Sequence, residues 1–298
     1  MAAHSPTTLP PALDADSAVF STLHLNDIRY YVAGPEDAAP LVLIHSINAA
    51  PSAFEMKPLF DHYRTTRRVY VPELPGFGGS DRSDRPYTPE LYANAIVAFL
   101  VNVVKQRADV MAFSLSSEFL ARAALVSPEW FNRLVMLSPT GFNRRGLPTG
   151  RTGRALHRFF TLPGLGEGLY NLLTVRPSIR YFLRSSYVGE PPAELIDYAY
   201  LTAHQPGARH APYYFLSGQL FTTDVMNLIY AKIEQPVLAI YDRDAHVSFE
   251  TLPNFLLGHR NWRATRVSPT LGIPQWERPY ETISAVDAFW HEMPGSPN

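Results

Sequence analysis

The 298-residue chain contains no cysteine. That removes disulfides, thiol nucleophiles and cysteine-based zinc sites at once. Charge is sparse and balanced, with 26 Lys+Arg against 27 Asp+Glu and a net of −1. Such a balance excludes the basic footprint of a nucleic-acid or anionic-membrane binder. No apolar run approaches the ~18 residues of a membrane-spanning helix. The start lacks a basic stretch followed by an apolar one, so no secretory leader is read and the expected compartment is the cytoplasm. No His/Asp/Glu group has metal-ligand spacing, and no glycine-rich phosphate cradle or dinucleotide fingerprint occurs. Neither a metal nor a cofactor is expected.

What is present is a large apolar fraction, 46%, with 27 prolines and many Tyr and Phe. Residues 1–18 read as a loose arm without periodicity. Val19–Leu25 and Ile28–Val32 are two strand-like runs around Asn26-Asp27, which reads as a hairpin turn. Leu41-Val42-Leu43-Ile44 is short and wholly apolar, the pattern of a parallel strand buried on both faces. Similar runs recur at Arg68–Val71, Ala108–Phe113, Arg133–Leu137 and Pro236–Tyr241. A helix opens at Thr88-Pro89-Glu90, where Thr caps, Pro sacrifices no bond and Glu meets the positive end of the dipole. Its apolar face runs through Leu91, Ala95, Leu100 and Val103. Alternating strands and helices predict an α/β sheet covered on both faces. Ligands in such sheets bind at the carboxyl ends of strands. From 141 to 229 no buried strand is evident, and prolines break helix-like pieces. This stretch reads as a helical cap, between core segments 19–140 and 230–298. Arg144, Arg145, Arg151 and Arg154 would make its entrance basic.

The apolar strand Asp109–Phe113 runs into Ser114 and then a helix, with Ala112 and Ser116 as the small neighbours two positions either side. This resembles the nucleophile elbow of the α/β-hydrolase fold, where the strand and helix backbones pass close. Ser116 fits less well as nucleophile, because Glu118 would take its small position. Leu43-Ile44-His45-Ser46 resembles the family's strand-end His-Gly. Val71 to Ser80 resembles its Asp-x-Pro-Gly-x-Gly-x-Ser loop, with Glu73 in place of Asp. Pro236 to Asp244 resembles the strand that ends in the catalytic acid. Pro274-Gln275-Trp276-Glu277-Arg278-Pro279 resembles the stretch after the last strand.

The resemblance implies an α/β-hydrolase fold: a mostly parallel sheet flanked by helices, with a helical cap. It also implies a serine-type hydrolase of an ester-like bond in a small apolar carbonyl compound. Ser114 would attack the carbonyl carbon, the N–H groups of Leu115 and Ile47 would hold the oxyanion, and Asp244 would be the acid. Ser46 and His45 would lie beside the substrate. The departure is at the histidine: registering on Pro274 and Glu277 puts Gly272 at that position, and no histidine lies between His259 and His291. His246, two residues beyond Asp244, is the candidate replacement, followed by His45, with His204 and His210 in reach from the cap. The competing reading is a non-hydrolytic enzyme, lyase- or isomerase-like, or a non-catalytic binder of ligand or partner, using the same pocket.

Overall fold

The computed structural model describes residues 9–143, 150–162 and 164–293. The first eight residues of the arm, Arg144 and Arg145 lie outside them. The first half of the chain forms β1 (Asp16–Thr22), β2 (Asn26–Ala33), β3 (Pro40–Ile44), α1 (Lys57–Tyr63), β4 (Arg68–Pro72), α2 (Pro89–Phe99), β5 (Ala108–Phe113), α3 (Ser116–Val126) and β6 (Phe131–Leu137). Six helices follow without a described strand between them: α4 (Arg151–Phe160), α5 (Leu165–Leu173), α6 (Arg176–Ser185), α7 (Ala193–Ala203), α8 (His210–Leu216) and α9 (Val225–Leu228). The chain returns through β7 (Val237–Tyr241), α10 (Leu252–Gly258), β8 (Trp262–Arg266), α11 (Pro274–Glu277) and α12 (Pro279–Glu292).

The eight strands form one sheet in the order β1-β2-β4-β3-β5-β6-β7-β8. β1 and β2 pair antiparallel, as do β2 and β4, and every later pairing is parallel. β3 and β5 are buried along their whole length. Because side chains alternate across a strand, each apolar run feeds two cores. Val42, Ile44, Val110 and Ala112 pack with α2, α3 and α10 on one face. Leu41, Leu43, Met111 and Phe113 pack with α1 and α12 on the other. The parallel strands therefore deliver their carboxyl ends to one edge.

The opposite edge is pinned by charge. Asp109, near the start of β5, is 2% exposed. It accepts from Arg67 at 2.7 Å, from Arg133 at 2.6 and 2.9 Å, and from Asn132 at 2.9 Å. Both guanidinium groups also lie over the Trp290 ring.

Three local details differ from the sequence reading. The hairpin turn is Leu23-His24-Leu25, and Asn26, with φ of 58°, is already paired with Thr22. Asn tolerates this left-handed conformation, which closes a three-residue loop. The arm is not loose where it is described. Leu9, Ala12 and Leu13 are buried, the Ala12 N–H donates to the Tyr31 hydroxyl, and the Tyr198 hydroxyl donates to Pro10 O. Residues 16–18 belong to β1. In α2 the Thr88 cap accepts from Leu91 N–H as expected, but the buried face is centred on Tyr92, Ile96 and Phe99.

Candidate active site

β5 ends at Phe113 and α3 starts at Ser116, leaving two residues for a reversal of direction. Ser114 turns it with φ of +55°. A left-handed non-glycine residue costs on the order of 1–3 kcal/mol, so the surroundings must hold it. They do: Ser114 N–H donates to Leu137 O at 2.8 Å, and Ser114 O accepts from Ser117 N–H at 3.0 Å. Ala112 and Ser116 are fully buried beside it. The Ser116 hydroxyl donates to His45 O at 2.6 Å, so it ties the turn to the end of β3 and is not free to react.

Beyond β3 the chain passes His45, Ser46 and Ile47. His45 is fully buried. Its Nε2 accepts from Leu74 N–H at 2.9 Å, so its proton sits on Nδ1, 2.6 Å from Ser46 O. Burial holds its pKa down to about 4. With both nitrogens engaged behind the wall, His45 neither touches a substrate nor serves as a base, contrary to the sequence reading. Ser46 reaches the cavity, but its N–H and hydroxyl both donate to Glu55, at 2.8 and 3.0 Å. Ile47, next in this loop, lines the cavity together with Leu115.

Asp244 follows β7. Its Oδ1 accepts from the N–H groups of His246 and Val247 at 2.7 and 3.0 Å. Burial pushes its pKa up, against those two bonds. Asp242, two residues earlier, is committed elsewhere, to Arg266 at 2.6 Å and Thr270 N–H at 2.9 Å. Gly272 sits directly against Asp244: a Cβ there would lie 2.7 Å from Oδ2. The loop carrying Gly272 is held by Glu277, whose carboxylate accepts from Leu271 and Ile273 N–H at 3.0 Å. The loop thus holds Gly272, which offers no side chain, against the Asp244 carboxylate.

Ser114, Leu115, Ile47, Asp244, His246 and Gly272 all line one cavity of about 960 Å³. Much of its wall is apolar, including Phe113, Phe182, Leu183, Leu195 and Phe215. Phe54 and Tyr198 stack at 4.8 Å in this wall, and Trp276 stacks behind Phe54 at 5.7 Å, its indole N–H donating to Glu55 O at 2.8 Å. Among the described residues no imidazole hydrogen-bonds the Ser114 hydroxyl, and no group of acids and histidines could hold a metal ion. His204 bonds Tyr200 O and His210 bonds Arg82 O, both away from the cavity wall. No helix among the described residues is long and apolar enough to cross a membrane.

The profile of the Alpha/beta hydrolase family matches residues 41–293. The chain belongs to the alpha/beta hydrolase family. No curated protein sequence matches it. The fold is similar to that of a serine hydrolase involved in carbazole degradation, the CarC enzyme, with TM-score 0.72 and 17% identity over 89% of this chain and 95% of that one. It is also similar to carboxylesterase CesB from Bacillus subtilis, with TM-score 0.70 and 15% identity over 93% of each chain. A bacterial membrane phospholipase A gives TM-score 0.70 and 20% identity over 93% of this chain and 86% of that one. At these identities the likeness is one of fold.

As an alpha/beta hydrolase the chain makes its substitutions structurally consistent. Glu73 stands where the loop aspartate is expected, and its longer side chain lies where a Cβ on Gly78 would be, 2.1 Å from Oε1. There it accepts from Ala53 and Gly79 N–H, buried and outside the cavity wall. Three other carboxyl-bearing residues line the cavity, Glu55, Glu118 and Asp224, and the sequence reading singled out none of them for a role. Glu55 is held by Ser46 and Asn48, and burial raises its pKa to about 7. Glu118, one turn beyond Ser114, accepts from the Thr140 hydroxyl and Thr222 N–H, and burial raises it to about 7 as well. For Glu118 a signal existed, its spacing of four from Ser114 on the opening turn of α3. Glu55 had none.

Proposed function

We propose that this alpha/beta hydrolase cleaves an ester-like bond in an apolar carbonyl compound, with Ser114 as the nucleophile. The observation that carries the reading is the convergence of Ser114 at φ +55°, the Leu115 and Ile47 amides and the acid-loop Asp244 on one cavity. Ser114 Oγ bonds to the carbonyl carbon while the two amides take the oxyanion, a contribution of about 3 kcal/mol per donor. Among the described residues His246 is the one imidazole on the wall, and it would take the serine proton, then return it to the leaving group. Asp244 braces that segment through the backbone N–H of His246. Helices α4 to α9 serve as the cap over core segments 19–140 and 230–298, contributing Leu173, Phe182, Leu183 and Phe215 to the apolar wall. The size and lining suit a compact apolar substrate held by few polar groups.

Intact-mass analysis after exposure to a fluorophosphonate probe tests the reading. The wild type should gain one adduct and Ser114→Ala none. A second reading, ligand binding without hydrolysis, is favoured by Gly272. It prevails if both folded proteins stay unlabelled and a panel of apolar carbonyl compounds raises the melting temperature.

A further inference from the structure

Helices α4 to α6 carry a surface that the cavity does not use. Of the sixteen large apolar side chains exposed among the described residues, nine lie between Leu156 and Val188, so their exposure is concentrated, not scattered. Phe182 lines the cavity. The other eight, among them Leu156, Phe159, Leu172 and Tyr181, are off its wall and meet outside solvent. Charge gathers on the same helices. Residues 151–185 hold six arginines and one acid, Glu167, in a chain whose net charge is −1. The balance over the whole chain, which spoke against an anionic-membrane binder, averages this local excess away. Arg176 and Arg184 reach Asp197 and Glu190 at 3.0 and 3.2 Å, but both pairs are exposed and hold the guanidinium groups weakly. Arg154, Arg158 and Arg180 are exposed, and no ion pair joins them to an acid among the described residues.

Helical spacing sorts the two kinds of side chain. On α4, Leu156 and Phe159 share one side, and Arg154 and Arg158 share the opposite one. On α6, Ile179, Phe182, Leu183 and Ser186 turn to the cavity, while Arg180, Tyr181 and Arg184 stand off its wall, exposed. Both helices pack on α5, whose own Leu165 and Leu172 are exposed. Water stabilises only the charged part of such a face. A lipid interface stabilises both parts, because apolar side chains enter the acyl boundary while arginines meet anionic headgroups. We propose that α4 to α6 form a docking face for an anionic lipid surface. A second copy of this chain fits the face less well, since it would set arginine against arginine. Docking leaves one helix, α6, between the lipid and the cavity. It is read without catalysis, so it stands or falls apart from the role of Ser114.

Flotation of the full-length chain with lipid vesicles tests the proposal. Vesicles of phosphatidylcholine mixed with phosphatidylglycerol should carry the protein, and phosphatidylcholine alone should carry much less. Binding to the mixed vesicles should fall as salt rises, because the attraction to the headgroups is screened. Arg154→Glu combined with Arg180→Glu should weaken that binding by roughly twentyfold or more, at about fivefold per arginine lost. Phe159→Ser combined with Tyr181→Ser should weaken it by about tenfold at the same salt. All four side chains are exposed, so both double variants should keep the melting temperature of the wild type, and either one carries the test if the other does not fold. Failure of the wild type to float with mixed vesicles at low salt would overturn the proposal, as would flotation that neither double variant reduces. Equal, salt-insensitive flotation with phosphatidylcholine alone would overturn the anionic partner. A lipid-free dimer that Phe159→Ser with Tyr181→Ser converts to a monomer would give the face to a second copy and overturn it too.

Discussion

Glu55 and His45 lie on either side of Ser46, and burial moves their protons in opposite directions. Glu55 is raised to about 7, so between its unfolded value near 4.5 and about 7 the folded state binds more protons than the unfolded state. Stability from this group is therefore present below about pH 4.5 and is lost as pH rises through 7, by about 3 kcal/mol at most. Glu118 behaves the same way. His45 is lowered to about 4, so between about 4 and 6.5 the unfolded state binds more protons, and stability falls as pH drops through that window. Glu55→Gln should therefore narrow the difference in urea midpoint between pH 5 and pH 7 without touching the His45 contribution. An unchanged difference would mean that Glu55 ionises at its ordinary pH. These groups also mark what sequence can reveal at this scale. Ser114 and Asp244 stood out in the sequence because each follows closely on an apolar run, Val110–Phe113 and Val237–Tyr241. Gly272 was legible because Pro274 and Glu277 fix its register. Glu55 sits in a single helical turn, Ala53–Met56, and gains its role from Ser46, nine positions away, which no local pattern encodes.

The elements divide into those that bury everything and those that bury one edge. β3 and β5 have no exposed residue, and their apolar runs, broken only by Asp109, made them readable with near-correct ends. In α6 only Ile179 is buried, while Tyr181 is 70% and Phe182 45% exposed. Leu162 and Leu165, flanking the turn into α5, are about half exposed. With so little apolar area removed from water, α4 and α6 should open first. Native-state hydrogen exchange should show their amides opening at roughly 2 kcal/mol or more below those of β3 and β5. Equal protection would mean that the helical segment unfolds only with the sheet. The absence of a buried strand run made this segment's helical nature legible, but not its partners. The pinned arm was illegible for a related reason: Leu9, Ala12 and Leu13 are scattered apolar residues, and their contacts come from Tyr31 and Tyr198 far along the chain.

At the scale of the whole molecule, the sheet has a reactive edge and an anchored one. Asp109 gathers Arg67 from the approach to β4 and Arg133 from β6, with α12 supplying Trp290 beneath both. Asp109→Ala leaves two guanidinium groups, each 13% exposed, without their counter-ion. Loss of one partner from such a buried cluster costs about 3–5 kcal/mol. The variant should melt well below the wild type, while the fraction still folded keeps its reactivity at Ser114 across the sheet. Loss of reactivity in step with a fully folded signal would mean that the two edges are coupled. The sequence displayed most of the strands, but not this cluster, because its members come from four separate parts of the chain: the approach to β4, β5, β6 and α12.

The stack of Tyr198, Phe54 and Trp276 has an optical consequence. Two of these rings face the cavity and the indole stands one layer behind, fastened to Glu55 O. Anything that displaces Phe54 must change the polarity around that indole and hence its emission. Of the four tryptophans, the others are Trp262 in the core, Trp130 half-buried after α3, and Trp290 at the anchored edge. Occupancy of the cavity should therefore appear as a shift in intrinsic fluorescence that Trp276→Phe abolishes, so the molecule carries its own gauge of when it is full.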